Sequence, residues 1–258
     1  MYKFYTSEYE GEMVTDSLSW RDGNKESNGV WIPKTIFNED HTETAFVLGN
    51  GPSILKYNYE FFNGVRASRD FSKSRAPESV GQTYACNLFY QHWTPTFLIC
   101  FNDDVCTAIK KANYAEDNIV YSNRRNITKH PNLFHLYPHF EKLFAGPAAL
   151  RLAAADGHQK VFMLGFDLYD DTKPHIFPET KRSYQPIANY DVVNNKLIEQ
   201  CKRVFDIYEE VNFFHVIQES QHMNETIVEE WKWCPNLQTI GYQQFCALAH
   251  LGHIIADK

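Results

Sequence analysis

Side chains able to do chemistry in this chain collect where its apolar runs stop. "FVLGNGPSI" (46–54) leaves an apolar run through Gly49-Asn50-Gly51-Pro52-Ser53, and "YACNLF" (84–89) turns polar at Asn87. "FLICFND" (97–103) ends on Asn102-Asp103, and "KVFMLGFDLY" (160–169) ends on Asp167-Leu168-Tyr169. Asn-Gly followed by Pro makes a tight turn. The same residues after a strand also let backbone N–H groups approach a phosphate, and a following helix adds its dipole. The motif is G-x-G without the third glycine of the dinucleotide fingerprint. The other strand ends must therefore decide between turn and site.

Beyond Tyr169, the run Asp170-Asp171-Thr172-Lys173-Pro174-His175 places acids and proton donors beside one strand end. Hydroxyl or imidazole groups there could stabilise charge growing on a leaving phosphate. Asp170-Asp171 reads either as a pair for Mg²⁺ or Mn²⁺ or as a plain acidic turn. Other groups are less suggestive. His135-x-x-x-His139 has metal-like spacing, but Pro138 breaks the helix that would align it. Cys86 and Cys100 fall inside predicted strands without an indicated base, which reads as core.

Strands and helices must position these groups. "TAFVLGN" predicts a buried strand and Pro52 a turn or helix start with Ser53 near its beginning. Further strands are expected at 83–89, 97–103, 117–123, 133–138, 159–169 and 211–217, with helices at 106–115, 146–157 and about 189–210. Pro147 in the first turn and Gly157 after the last make "GPAALRLAAADG" a strong helix. This alternation implies an α/β fold, a single doubly wound, mostly parallel sheet with its ligand at the carboxyl ends of the strands. Residues 1–43 read as an irregular arm packed on the main domain through Trp31, Ile32 and Phe37. Residues 44–258 read as a nucleotide-binding α/β domain.

With 258 residues, 43% hydrophobic and 22% charged, the chain suits one globular core. No apolar run approaches the roughly 18 residues of a membrane span, and the first residues carry no basic start followed by an apolar stretch. Six cysteines without a regular framework suggest reduced thiols and a cytoplasmic location. The net charge of −7 argues against polyanion binding on average. Three basic clusters run against that average: Arg66, Arg69, Lys73 and Arg75; Arg124, Arg125, Lys129 and His130; Lys173, Lys181 and Arg182. All three read as loops rich in Pro, Ser and Asn.

The ordered strand ends resemble a family. "LGNGPSI", "YACNLFYQ", "FND", "AGPAALRLAAADG" and "KVFMLGFDLY" together look like the bacterial sialyltransferases of glycosyltransferase family 42, over about residues 45–170. The resemblance implies a Rossmann-like, GT-A-like variant that transfers a sugar from a CMP-linked donor with inversion and no required metal. It implies that Asn50, Gly51, Pro52 and Ser53 form the loop at the donor phosphate and ribose, and that Asn87 and Asn102 line the nucleotide sugar. Gly146 would lie close to the cytidine and Asp167 would hold the base or ribose edge. Tyr169 matches a tyrosine that hydrogen-bonds the leaving phosphate, and His175 occupies the place of a second one. The family's histidine base has no counterpart in "QPIANYDVVNN", which leaves Asp191, Tyr190 or a displaced His175. The same GNGPS loop also resembles pterin pyrophosphokinase-like proteins, whose chemistry would need Mg²⁺ and a carboxylate pair. A non-catalytic nucleotide-binding module is the third reading.

The acceptor is expected to be soluble, since "ALAHLGHIIADK" is too short and weakly charged for a membrane-surface tail. Basic loops carrying Arg66, Arg69, Lys73, Arg75, Arg124 and Arg125 would rim the strand-end pocket and suit a polyanion. The specific expectation is phage-type DNA carrying hydroxymethylated cytosine, with Tyr90, Trp93 and Tyr184 stacking on an extruded base. A glycan acceptor is the alternative.

Overall fold

The computed structural model describes residues 43–56, 81–130, 133–137, 142–168, 190–217 and 230–249, with the backbone of two short strands before them. Those two, β1 (Ser19–Arg21) and β2 (Asn24–Glu26), pair antiparallel. Trp31, Ile32 and Phe37 lie outside the described residues.

Eight strands form the main sheet: β3 (Thr44–Leu48), β4 (Gln82–Cys86), β5 (Phe97–Ile99), β6 (Ile119–Ser122), β7 (His135–Leu136), β8 (Lys160–Leu164), β9 (Asn212–Ile217) and β10 (Leu237–Gly241). Their spatial order is β10-β9-β8-β3-β4-β5-β6-β7, and every pairing is parallel. Central strands β3 and β4 are buried along their whole length, as parallel strands covered on both faces must be. Alternate side chains serve two cores. Ala45, Val47, Tyr84, Cys86, Phe97 and Ile99 face one layer, and Phe46, Leu48, Ala85 and Leu98 face the other.

The first layer is covered by α4 (Ala145–Ala155) and α5 (Tyr190–Ile207). The second is covered by α1 (Asp103–Lys111), α2 (Tyr114–Asp117), α3 (Arg124–Lys129) and α6 (Tyr242–Leu248). The sheet is thus doubly wound, α/β and Rossmann-like. Its central six strands, β5-β4-β3-β8-β9-β10, follow the 3-2-1-4-5-6 order of dinucleotide-binding sheets, extended by β6 and β7. The winding direction reverses between β3 and β8. Ligands bind at such a switch point, outside the carboxyl ends of the strands.

Several expectations are corrected. The strand expected over 83–89 stops at Cys86, and a 3₁₀ turn runs Asn87–Gln91. Asn87 has φ +54°, a left-handed conformation in which a strand cannot continue and asparagine is tolerated. The strand from 97 ends at Ile99, because Asn102 begins a helix instead. "RRNITK" is helix α3, not loop. Asn123 caps it by accepting from Asn126 N at 3.0 Å, and the helix buries Ile127. Helix α4 begins at Ala145 and stops where Gly157 adopts φ +90°.

Candidate functional site

The loops leaving β3 and β8 are stitched together. Gly49 N donates to Leu164 O at 2.8 Å, and Gly51 N donates to Gly165 O at 2.9 Å. A Cβ on Gly49 would lie 2.2 Å from Gly165 O, and one on Gly51 would lie 2.2 Å from Asp167 Oδ2. Gly165 has φ +72°, and its Cβ would lie 2.8 Å from Ile54 Cβ. These glycines are therefore required by each other's loops, before any ligand is considered. Asp167 completes the stitching by accepting from Ser53 N at 2.9 Å. That bond satisfies an N–H at the start of the 3₁₀ turn Pro52–Lys56. Pro52, first in that turn, brings a fixed φ and no N–H to lose.

Between these loops and the start of α4 lies a recess with about 460 Å³ of space free of protein atoms, open to solvent. Gly49, Asn50, Gly51, Cys86, Asn87, Gly165, Phe166 and Asp167 come to it from the ends of β3, β4 and β8. Phe144, Ala145, Gly146 and Pro147 come from the α4 entry, and Leu197 from α5. Asn50 is 6% exposed, so its amide is held within the wall rather than waving in solvent.

Helix α4 opens onto this recess without a side-chain cap and without an acid in its first turn. Intrahelical bonding begins with Ala148 N donating to Phe144 O at 2.9 Å. Ala145 and Gly146 therefore have N–H groups with no intrahelical acceptor, and Pro147 has no N–H. Helix α5 fixes the entry, with Phe144 N donating to Gln200 Oε1 at 2.7 Å and Gln200 Nε2 donating to Lys142 O at 3.3 Å. A convergent positive dipole end over glycine-rich loops attracts an anion. Gly146 differs from the loop glycines. A Cβ there would meet only Phe166 ring atoms, at 3.6 and 3.9 Å, which is ordinary contact.

The recess wall also contains Cys86. Burial pushes its thiol up to about 12, so it is a neutral wall group and not a nucleophile.

Of the residues singled out from sequence, Asn50, Gly51, Asn87, Gly146 and Asp167 line the recess. Pro52 and Ser53 form the adjoining turn. Asn102 does not join them. It is the N-cap of α1, its side chain accepting from Asp104 N at 2.9 Å. Asp191 lies exposed in the first turn of α5. It precedes Leu197 by six residues, about 9 Å along the helix axis. Arg124 and Arg125 lie on α3 beyond β6, two strands from β4. Arg125 pairs with Asp103 at 3.3 Å, and Lys129 bonds the same carboxylate. Tyr90 packs against Tyr114 with the rings tilted by 40° and centroids 4.7 Å apart, and Trp93 packs against the core. Tyr169, His175, Asp170, Asp171, Arg66, Arg69, Lys73, Arg75 and Tyr184 lie outside the described residues. No group of three or more His, Cys, Asp or Glu with metal-holding geometry occurs among the described residues. Phe144, Phe166 and Leu197 went unnoticed in the sequence because apolar residues beside a strand end look like core.

No protein-family model and no curated protein matches the chain. Solved structures of similar shape include the monofunctional alpha-2,3-sialyltransferase Cst-I of Campylobacter jejuni, 15% identical with a TM-score of 0.42, covering 70% of this chain and 78% of that one. Another is the sialyltransferase CstII of Campylobacter jejuni with the substrate analogue CMP-3FNeuAc, 14% identical with a TM-score of 0.39, covering 67% and 79%. A third is CST-II with a trisaccharide acceptor and CMP, 14% identical with a TM-score of 0.42, covering 67% and 80%. Likenesses this distant carry no assignment of activity.

Among the described residues no helix is long and apolar enough to cross a membrane.

Proposed function

We propose that the recess binds the nucleotide part of a sugar-nucleotide donor, CMP-linked, and that the chain is an inverting glycosyltransferase. One observation carries the reading. An uncapped helix start without acids faces stitched glycine loops and two strand-end asparagines, at the switch point of a Rossmann-ordered sheet. Phosphate would lie against the Ala145 and Gly146 N–H groups, with Asn50 and Asn87 bonding the ribose or phosphate. The strand-end motifs that resemble family 42 support cytidine over other bases. Inverting transfer also needs a base for the acceptor hydroxyl and donors for the leaving phosphate. We assign the donors to Tyr169 and His175 and the base to Asp191, at the first turn of the helix that supplies Leu197. No metal is required in this scheme; Asp170 and Asp171 are the pair that would hold Mg²⁺ or Mn²⁺ if turnover depends on one.

The acceptor is a hydroxyl compound. A DNA acceptor carrying hydroxymethylcytosine draws no support from α3, whose Arg125 and Lys129 are engaged by Asp103 away from the recess. Calorimetry with CMP tests the donor half. Asn50→Ala should weaken binding by roughly 1.5–3 kcal/mol, the worth of a hydrogen bond to a charged group. Unchanged affinity in a folded variant removes the nucleotide reading. A panel of nucleotide sugars, scored for CMP, UMP or UDP release with a free oligosaccharide or hydroxymethylcytosine DNA present, tests donor and acceptor. ATP- and Mg²⁺-dependent turnover without sugar-nucleotide cleavage would select a pyrophosphoryl transferase instead.

A further inference from the structure

Two cysteines on the other face of the sheet are built as a pair. Cys100 follows β5 and Cys106 sits in the first turn of α1, and their sulfurs are 3.4 Å apart. Both side chains are fully buried. Polar groups converge on Cys106 Sγ from three sides: Asn126 Nδ2 donates to it at 3.2 Å, Ser122 Oγ lies at 3.5 Å, and the Cys100 thiol faces it. Asn126 also donates to Ser122 Oγ at 3.0 Å and to Phe101 O at 3.0 Å, which fixes its amide. The Cys100 hydrogen bond holds the Cys106 thiol below its usual range against the cost of burial, while Ser122 Oγ donates its own hydrogen to Cys100 O. Burial pushes Cys100 the other way. A sulfur at a helix start that accepts from Asn126 and touches a second thiol is the arrangement of an attacking and a resolving cysteine.

We propose that Cys100 and Cys106 form a redox-modifiable dithiol that closes to an intramolecular disulfide on reaction with a peroxide. The Cys106 thiolate attacks one peroxide oxygen. The O–O bond breaks, and with one proton taken up water leaves, giving a sulfenic acid at Cys106. The Cys100 sulfur then attacks Cys106 Sγ, the S–O bond breaks, and the Cys100 proton leaves with hydroxide as the second water. Two thiols give up two electrons and two protons, and one peroxide becomes two waters. The sulfurs close from 3.4 Å to about 2.05 Å. This draws the first turn of α1 toward the end of β5. A peroxide is little larger than water, and opening of that helix turn admits it. The other cysteines, Cys86, Cys201, Cys234 and Cys246, are free, buried and raised by burial. The inference is independent of the proposed function, because its readout is chemical.

The folded, reduced protein is treated with graded hydrogen peroxide, quenched, denatured with an alkylating agent, and mapped by mass spectrometry without reduction. The expected result is a Cys100–Cys106 linked species, two hydrogens lighter, before any other cysteine is oxidised. In Cys100→Ser the Cys106 sulfenic acid should persist and be trapped by dimedone. In Cys106→Ser, Cys100 should stay alkylatable. Oxidation of another cysteine first, sulfinic acid at Cys106 without the disulfide, or no oxidation below the unfolding transition would each overturn the proposal. The wild-type map decides the matter alone if either variant fails to fold.

Discussion

At Asn50 and Asn102 the same residue type does two different things. Both follow apolar strands and precede turns or helices. Asn50 lines the recess, whereas Asn102 spends its side chain on the Asp104 N–H of α1. Short polar side chains serve equally as caps and as ligands, so sequence could gather these asparagines but not sort them. Buried histidines pose a related question of sign. His215 sits on β9 with its ring edge-on to Trp231, 5.2 Å between centroids, and its Nδ1 has no hydrogen-bond partner among the described residues. Burial holds it at about 4, against 6.5 for a free histidine. The folded state stays neutral while the unfolded chain takes up a proton as pH falls below 6.5. Stability is therefore lost progressively from pH 6.5 toward 4. Between pH 7 and 5 this one group should cost about 2 kcal/mol. Urea titrations at the two pH values, wild type against His215→Phe, measure it. The variant should lose about that much less stability on acidification, whatever its absolute stability. An identical pH difference in both proteins would assign the acid sensitivity elsewhere.

At the scale of elements, helix α4 joins the fold to the site. Its body is buried Ala and Leu against β3, β4 and β5, and this made it legible from "GPAALRLAAADG". The buried parallel strands were legible for the same reason, as continuous apolar runs bounded by small polar residues. Elements with a weaker burial signal were not. Helix α3 exposes much of its surface and owes its start to the Asn123 cap, so its basic residues looked like loop. Strand β10 is only partly buried and carries no clear period. Gly146 tests what α4 does at its open end. Glycine in a helix costs roughly 0.5–1 kcal/mol relative to alanine, and the surroundings have room for a methyl group. Gly146→Ala should therefore raise the thermal midpoint, yet weaken CMP binding if the bare backbone is there for close approach of a phosphate. Stability and affinity should move in opposite directions. A stabilised variant that binds CMP as wild type does would leave this glycine without a functional reason.

For the molecule as a whole, the sheet separates two sets of strand ends that sequence had treated as one site. Those of β3, β4 and β8 converge on the recess at the winding reversal. Those of β5 and β6 are closed by their own caps, Asn102 and Asn123, by Asn123 Nδ2 and Asn126 Nδ2 donating to Phe101 O, and by the Asp103–Lys129 and Asp103–Arg125 pairs. The first set faces the start of α4, which has no side-chain cap, and the second spends its polar groups on itself. Hydrogen exchange with and without CMP should follow this division. Binding stabilises the folded state everywhere by mass action, by about 2.7 kcal/mol when ligand stands at 100 times its Kd, so amides that exchange only on global unfolding slow uniformly. Amides that exchange by local opening slow only where the ligand touches. Segments 49–53, 86–87, 145–148 and 165–167 should therefore gain protection in the fast regime, while 101–104 and 123–126 should not. Protection spread to the second group would extend the site across β5 and restore Asn102 and Arg124 to it. Protection of neither group would leave the recess without its nucleotide, and the stitched glycine loops would then be explained by their own packing alone.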